Sequence, residues 1–165
     1  MNIKSFFLPV FFVLVLAAAS ANAQSSIDAV MTHEQLQAAK ELVDTERDMT
    51  LIINLDLTAE ESETFWPLYD EYRQKVRNVR GRKLSLIEGY AERYRAGTVD
   101  DEFAEMAIKD ALDIQLETVK IRQKYWKKFR RIVPAKKAAR FYQLENKMDT
   151  EIDFVLSGGI PLVEN

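Results

Sequence analysis

Apolar residues recur along this chain at steps of four and three, and the longest such run extends from Leu57 to Tyr94. Phe65, Tyr69, Tyr72, Val76, Val79, Leu86, Tyr90 and Tyr94 form its stripe, with one place taken by Lys83. That spacing predicts a helix near the coiled-coil period. Thr58 and Glu61 stand three apart at its start as a capping box, and Leu57 is placed to staple it. Pro67 removes one interior backbone bond and predicts a kink. Gly97 suits the left-handed position that closes a helix. At about 1.5 Å per residue this rod is on the order of 55 Å long, too long for a compact core, so it needs an equally long partner.

The partner follows directly. Thr98 with Asp101 opens a second helical pattern that runs to Pro134. Two helices of similar length joined by a tight turn predict an antiparallel hairpin. Folding the chain back at Gly97 sets acidic Glu60 to Glu71 against basic Lys124 to Lys137, and basic Arg77 to Arg93 near acidic Asp101 to Glu117. Each exposed pair contributes only about 0.3–0.5 kcal/mol, but together they penalise a wrong register. The second helix is apolar on two sides. Phe103, Ala107, Ile114, Ile121, Tyr125 and Ile132 fall on one face, and Ile108, Leu112, Leu116, Val119, Trp126 and Val133 on nearly the opposite one. One face takes the long partner; the other must be covered or used.

Shorter elements flank the pair. Thr32 and Gln35 begin a short N-terminal helix with Leu36, Ala39 and Val43 on one face, and Met49, Leu51, Ile52, Ile53 and Leu55 predict a second, buried one ended by Asn54-Leu55-Asp56. A last helix starts at Pro134 and carries Ala138, Phe141, Leu144, Met148, Ile152 and Val155 until Ser157-Gly158-Gly159 stops it. Ile160-Pro161-Leu162-Val163 is an apolar tail without a predicted docking place. The expected fold is all-α, elongated and dimeric.

Composition narrows the class. Glycines number five and prolines four, which fits a helical protein. Lys4, the apolar run Phe6 to Ala19 and the Ala21-Asn22-Ala23 site form a signal peptide, residues 1–23, with a mature start at Gln24. Residues 24–165 are then one exported domain, expected in a bacterial periplasm. After cleavage nothing is long enough to span a membrane. Without Lys4 the mature chain is acidic, which argues against a nucleic-acid partner. The absence of cysteine excludes disulfides, thiol chemistry and a lipidated cysteine.

Two stretches look alike. Leu57-Thr58-Ala59-Glu60-Glu61 is followed by Phe65-Trp66 and Leu68; Val133-Pro134-Ala135-Lys136-Lys137 is followed by Phe141-Tyr142 and Leu144 at the same spacing. A doubled motif in an exported helical chain resembles the Spy/CpxP family, whose pattern is LTxxQ occurring twice. Leu57, Thr58, Glu61, Val133, Pro134 and Lys137 occupy the motif positions; Glu61 and Lys137 replace its glutamines, and Val133-Pro134 replaces the second Leu-Thr. The resemblance implies a thin helical dimer that binds unfolding proteins without ATP, or that reports envelope stress to a membrane sensor. Some relatives bind zinc, which implies a metal-responsive alternative.

Candidate chemistry is sparse. His33 is the single histidine, so a closed structural zinc site cannot be built within one chain, although one shared across a dimer stays open. Acidic Glu60, Glu61 and Glu63, or Asp100, Asp101 and Glu102, are what a helix dipole favours in first turns. No nucleophile–base arrangement can be assembled, so neither an enzyme nor a cofactor is expected. The aromatic and basic residues suit protein binding: Trp126, Leu112 and Val119 beside Lys127, Arg130, Arg73 and Arg77. The expected partners are a second copy and unfolded envelope proteins, or a membrane sensor.

Overall fold

The computed structural model describes residues 45–163, which are helical with short connections. The expected signal peptide, the expected helix from Thr32 and the single histidine His33 lie outside the described residues. The helices are α1 (45–55), α2 (Ala59–Ala96), α3 (Asp101–Ile132) and α4 (Ala135–Gly158). Among the described residues no helix is long and apolar enough to cross a membrane.

The helix ends follow local chemistry. Thr58 Oγ accepts the Glu61 N–H, and the Glu61 carboxylate accepts the Thr58 N–H at 2.9 Å, which completes the capping box. The helix passes through Pro67 unbroken and stops at Gly97, whose N–H donates to Tyr94 O at 3.1 Å and whose φ of 64° turns the Thr98 N–H back to Arg93 O at 2.9 Å. Asp100, not Thr98, caps α3: its carboxylate accepts the Phe103 N–H at 2.8 Å, while the Thr98 hydroxyl turns back to Arg93 O. A carboxylate accepts more strongly and complements the dipole. Asp56, at φ 49°, ends α1 in the left-handed region that Asp tolerates better than most residues.

Contacts between α2 and α3 run in order along both helices. Tyr90 stacks on Phe103 near Gly97, Arg82 pairs with Glu117 at 2.6 Å, and Glu71 meets Lys128 and the Tyr125 hydroxyl. The predicted charge complement between these two helices is therefore formed. At the end remote from Gly97 lies the core, where Phe65, Tyr69, Tyr72, Phe129 and Phe141 join Leu51, Leu55, Val76, Tyr125 and Met148. The Phe129 and Phe141 rings lie 4.4 Å apart and Phe65 lies 5.1 Å from Phe129, so packing contributes beyond area alone. Helix α1 is buried on one side only: Leu51 and Leu55 enter the core, whereas Met49, Ile52 and Ile53 face solvent.

Helix α4 starts against α3 and moves onto α2. Trp126 meets Tyr142, Asp149 bridges Arg122 and Arg80, Lys83 holds Asp153 at 2.7 Å, and Tyr90 O–H donates to Pro161 O at 2.9 Å. That last bond places the apolar tail beside α2. The path also divides the second apolar face of α3. Val133 and Trp126 are covered; Ile108, Leu112, Leu116 and Val119 are not.

Candidate protein-binding face

A buried polar cluster positions the elements. Arg47 of α1 is wholly buried, 3.0 Å from Glu145 and 2.7 Å from Asp149 of α4. Asp149 also takes Arg80 of α2 at 2.5 Å and Arg122 of α3, and Arg73 lies 3.9 Å from Glu145. All four helices therefore converge on two carboxylates. Burial alone would raise the Asp149 pKa, but the guanidiniums of Arg47, Arg80 and Arg122 outweigh it and push the group down to about 2. Burial likewise works against the charge of Arg47, and Glu145 with Asp149 more than restores it, so its pKa rises. The Tyr69 hydroxyl, buried and without a hydrogen-bond partner among the described residues, is pushed upward by burial first and Glu145 second.

This cluster was not foreseen from the sequence, though its signal was there. Arg47-Leu51-Leu55 and Phe141-Glu145-Asp149 are spaced by four, so the charges share one face with core residues. Arg73, expected on the binding surface, belongs to the same cluster and is 1% exposed. That expectation is corrected: position 73 directly follows Tyr72 on the buried side of α2.

The two motif copies meet. The Lys137 ammonium donates to the Glu61 carboxylate at 2.6 Å and to Asp56 O. The bond from Lys137, then the one from Thr58 N–H, holds the Glu61 pKa below its usual value. One lysine thus ties the start of α4 to the α1–α2 corner, while Val133 is buried and Leu57 packs against the core. Thr58 and Pro134 act as the N-caps of α2 and α4. A second polar tie holds α3 to α2. The Glu71 pKa is lowered by the Tyr125 hydroxyl and Lys128, and the Tyr125 pKa is raised to about 12 by burial and by that carboxylate.

Of the remaining candidates, Leu112 and Val119 are exposed at 58% and 47% and continue into Ile108 and Leu116. These four residues make an apolar strip roughly 16 Å long on one side of α3. Lys127, Arg130 and Arg77 are exposed. Trp126 is half-buried, packed against the core and edge-on to Tyr142. The recess between Trp126, Tyr142 and Arg122 has room for about one water. The structure thus leaves Leu112 and Val119 exposed on one side of α3, with Trp126 half-buried on the same helix, and separates Arg73 from them. Among the described residues no group of three His, Asp or Glu side chains is arranged to hold a metal ion.

No family model matches the chain, and neither a characterised protein nor a solved structure is detectably similar to it.

Proposed function

We propose that this chain is an exported, ATP-independent helical binding protein of the Spy/CpxP type, which holds partly unfolded envelope proteins on the outer side of α3. In this reading α2 and α3 form an elongated antiparallel hairpin, the protein works in the periplasm after loss of residues 1–23, and two copies associate. The observation that carries the reading is the uncovered strip Ile108, Leu112, Leu116 and Val119, bordered by Lys120, Lys124 and Lys127. An apolar strip of this extent on a charged helix is a surface for extended apolar segments, and cations beside it favour acidic ones. The bond between Glu61 and Lys137 adds support, because it joins the two copies of the motif on which the resemblance rests.

Self-association uses the same surface: two unoccupied strips cover each other, and a client competes with that contact. The test is suppression of aggregation of a denatured client at equimolar protein, without nucleotide and with chelator present. The wild type should protect, and Leu112→Glu with Val119→Glu should lose both protection and oligomeric mass while keeping its helicity. Full protection by the double variant contradicts the reading. Protection that disappears with chelator supports the metal-responsive alternative.

A further inference from the structure

The cations of this chain are unevenly placed. Of its 23 lysines and arginines, ten lie between Thr118 and Leu144, a stretch with no Asp or Glu; the other thirteen share the rest of the chain with all 26 carboxylates. Three of the ten are committed to acids on other segments: Arg122 to Asp149, Lys128 to Glu71 and Lys137 to Glu61. Lys120, Lys124, Lys127 and Arg131 are different. They are exposed, they follow one another at steps of four, three and four, and none makes an ion pair among the described residues. At 3.6 residues per turn they fall within a sector of about 60° along roughly 16 Å of helix. Lys124 lies over the neighbouring Tyr125 ring, 5.8 Å from its centroid, and its charge also acts on Glu71 without forming an ion pair.

We propose that this cationic row of α3 is a docking surface for an anionic phospholipid bilayer. Charge complementarity selects an anionic partner, and the shape of the site selects a planar one. The row lies on an exposed helical ridge, and the recess at Trp126 and Tyr142 opens on the other, core-facing side of α3. The row itself presents exposed cationic side chains, and the apolar contacts for a polypeptide lie in the neighbouring strip. Lipid headgroups diffuse laterally and gather under fixed cations, so a straight row without a pocket is sufficient for them. The contact is electrostatic and reversible, and it leaves the apolar strip, which lies to one side of the row, available to other partners. It goes beyond the client-binding reading and needs no client to be tested.

The experiment is co-sedimentation of the full chain with vesicles of phosphatidylcholine carrying about 30% phosphatidylglycerol, against vesicles of phosphatidylcholine alone. Any attraction of the apolar N-terminal stretch appears with both lipids and cancels in the comparison. Two variants lose the same net charge: Lys120→Gln with Lys124→Gln and Lys127→Gln, and Arg95→Gln with Arg140→Gln and Lys147→Gln, all at exposed positions. Each cation near an anionic surface contributes about five-fold to partitioning. The row variant should therefore lose on the order of 100-fold and the scattered variant less than about ten-fold. Raising salt from about 0.05 M to about 0.5 M should release the wild type from the anionic vesicles. Equal losses by the two variants, or equal binding of the wild type to both lipids, overturns the proposal. Soluble polyglutamate that binds as tightly as the vesicles and needs the same three lysines also overturns it, and assigns the row to an acidic polypeptide.

Discussion

Replacing Asp149 with asparagine removes the carboxylate that Arg47, Arg80 and Arg122 share. The group titrates at about 2, against 3.8 for an ordinary aspartate. That difference makes its charge worth on the order of 2 kcal/mol to the folded state. The substitution costs more than the charge, because Arg47 is wholly buried and keeps only Glu145 as its partner among the described carboxylates. Removing one partner of a buried ion pair typically costs about 3–5 kcal/mol, a large share of the roughly 5–15 kcal/mol that a domain has. The expected result is a loss of about 3–5 kcal/mol in urea unfolding followed by circular dichroism at neutral pH.

The pH dependence provides a second signature of the same group. Its folded pKa is depressed, so its stabilisation is complete above the unfolded value of 3.8 and disappears as the pH falls through about 2. The gap between wild type and Asp149→Asn should therefore narrow by on the order of 2 kcal/mol over that window, because the wild type alone loses the contribution. A cost below about 1 kcal/mol at neutral pH, or a gap that does not change across the window, refutes the reasoning.

Other expectations follow from the same geometry. Phe129→Ala should cost about 3–5 kcal/mol, because the ring is wholly buried against Phe65 and Phe141; Phe154→Ala, at a position 79% exposed, should change stability by less than about 0.5 kcal/mol. Comparable costs in thermal unfolding would mean that the core is misplaced. A double-mutant cycle on Glu61→Ala and Lys137→Ala should give a favourable coupling for this partly exposed pair, and no coupling would mean that the two motifs do not support each other. Gly97→Ala should cost about 1 kcal/mol through its φ of 64° alone, since no atom lies near enough to clash. An unchanged melting temperature would refute that assignment.

What could be read from the sequence was what short-range rules govern. Thr58 with Glu61, Gly97 and Pro134 mark helix boundaries through atoms only a few residues apart. The charge complement between α2 and α3 followed once the turn was located, and Lys128 with Glu71 and Arg82 with Glu117 bear it out. The buried cluster could not be read in this way. Arg47 and Asp149 are 102 residues apart, and a charge on an apolar stripe looks like a gap until its partner is known. Arg73, read as a surface cation beside the tyrosines, shows the same difficulty: its carboxylate neighbour Glu145 lies on a different helix. The two-sided character of α3 was legible, but not where α4 would leave it. That point is set by Lys83–Asp153 and Tyr90–Pro161, contacts that no periodicity announces. Trp126 is consequently more enclosed, and the segment Ile108 to Val119 more open, than the pattern alone implied.

The central claim is that the strip on α3 contacts unfolded protein, and photo-crosslinking from within the strip tests it most directly. A photoreactive phenylalanine analogue placed at Leu116 is compared with one at Phe154, since both positions are apolar and exposed but only Leu116 lies in the strip. With a denaturing client present, the account predicts client adducts from position 116 and few from position 154. Equal yields from the two positions, or adducts from 154 alone, would contradict it.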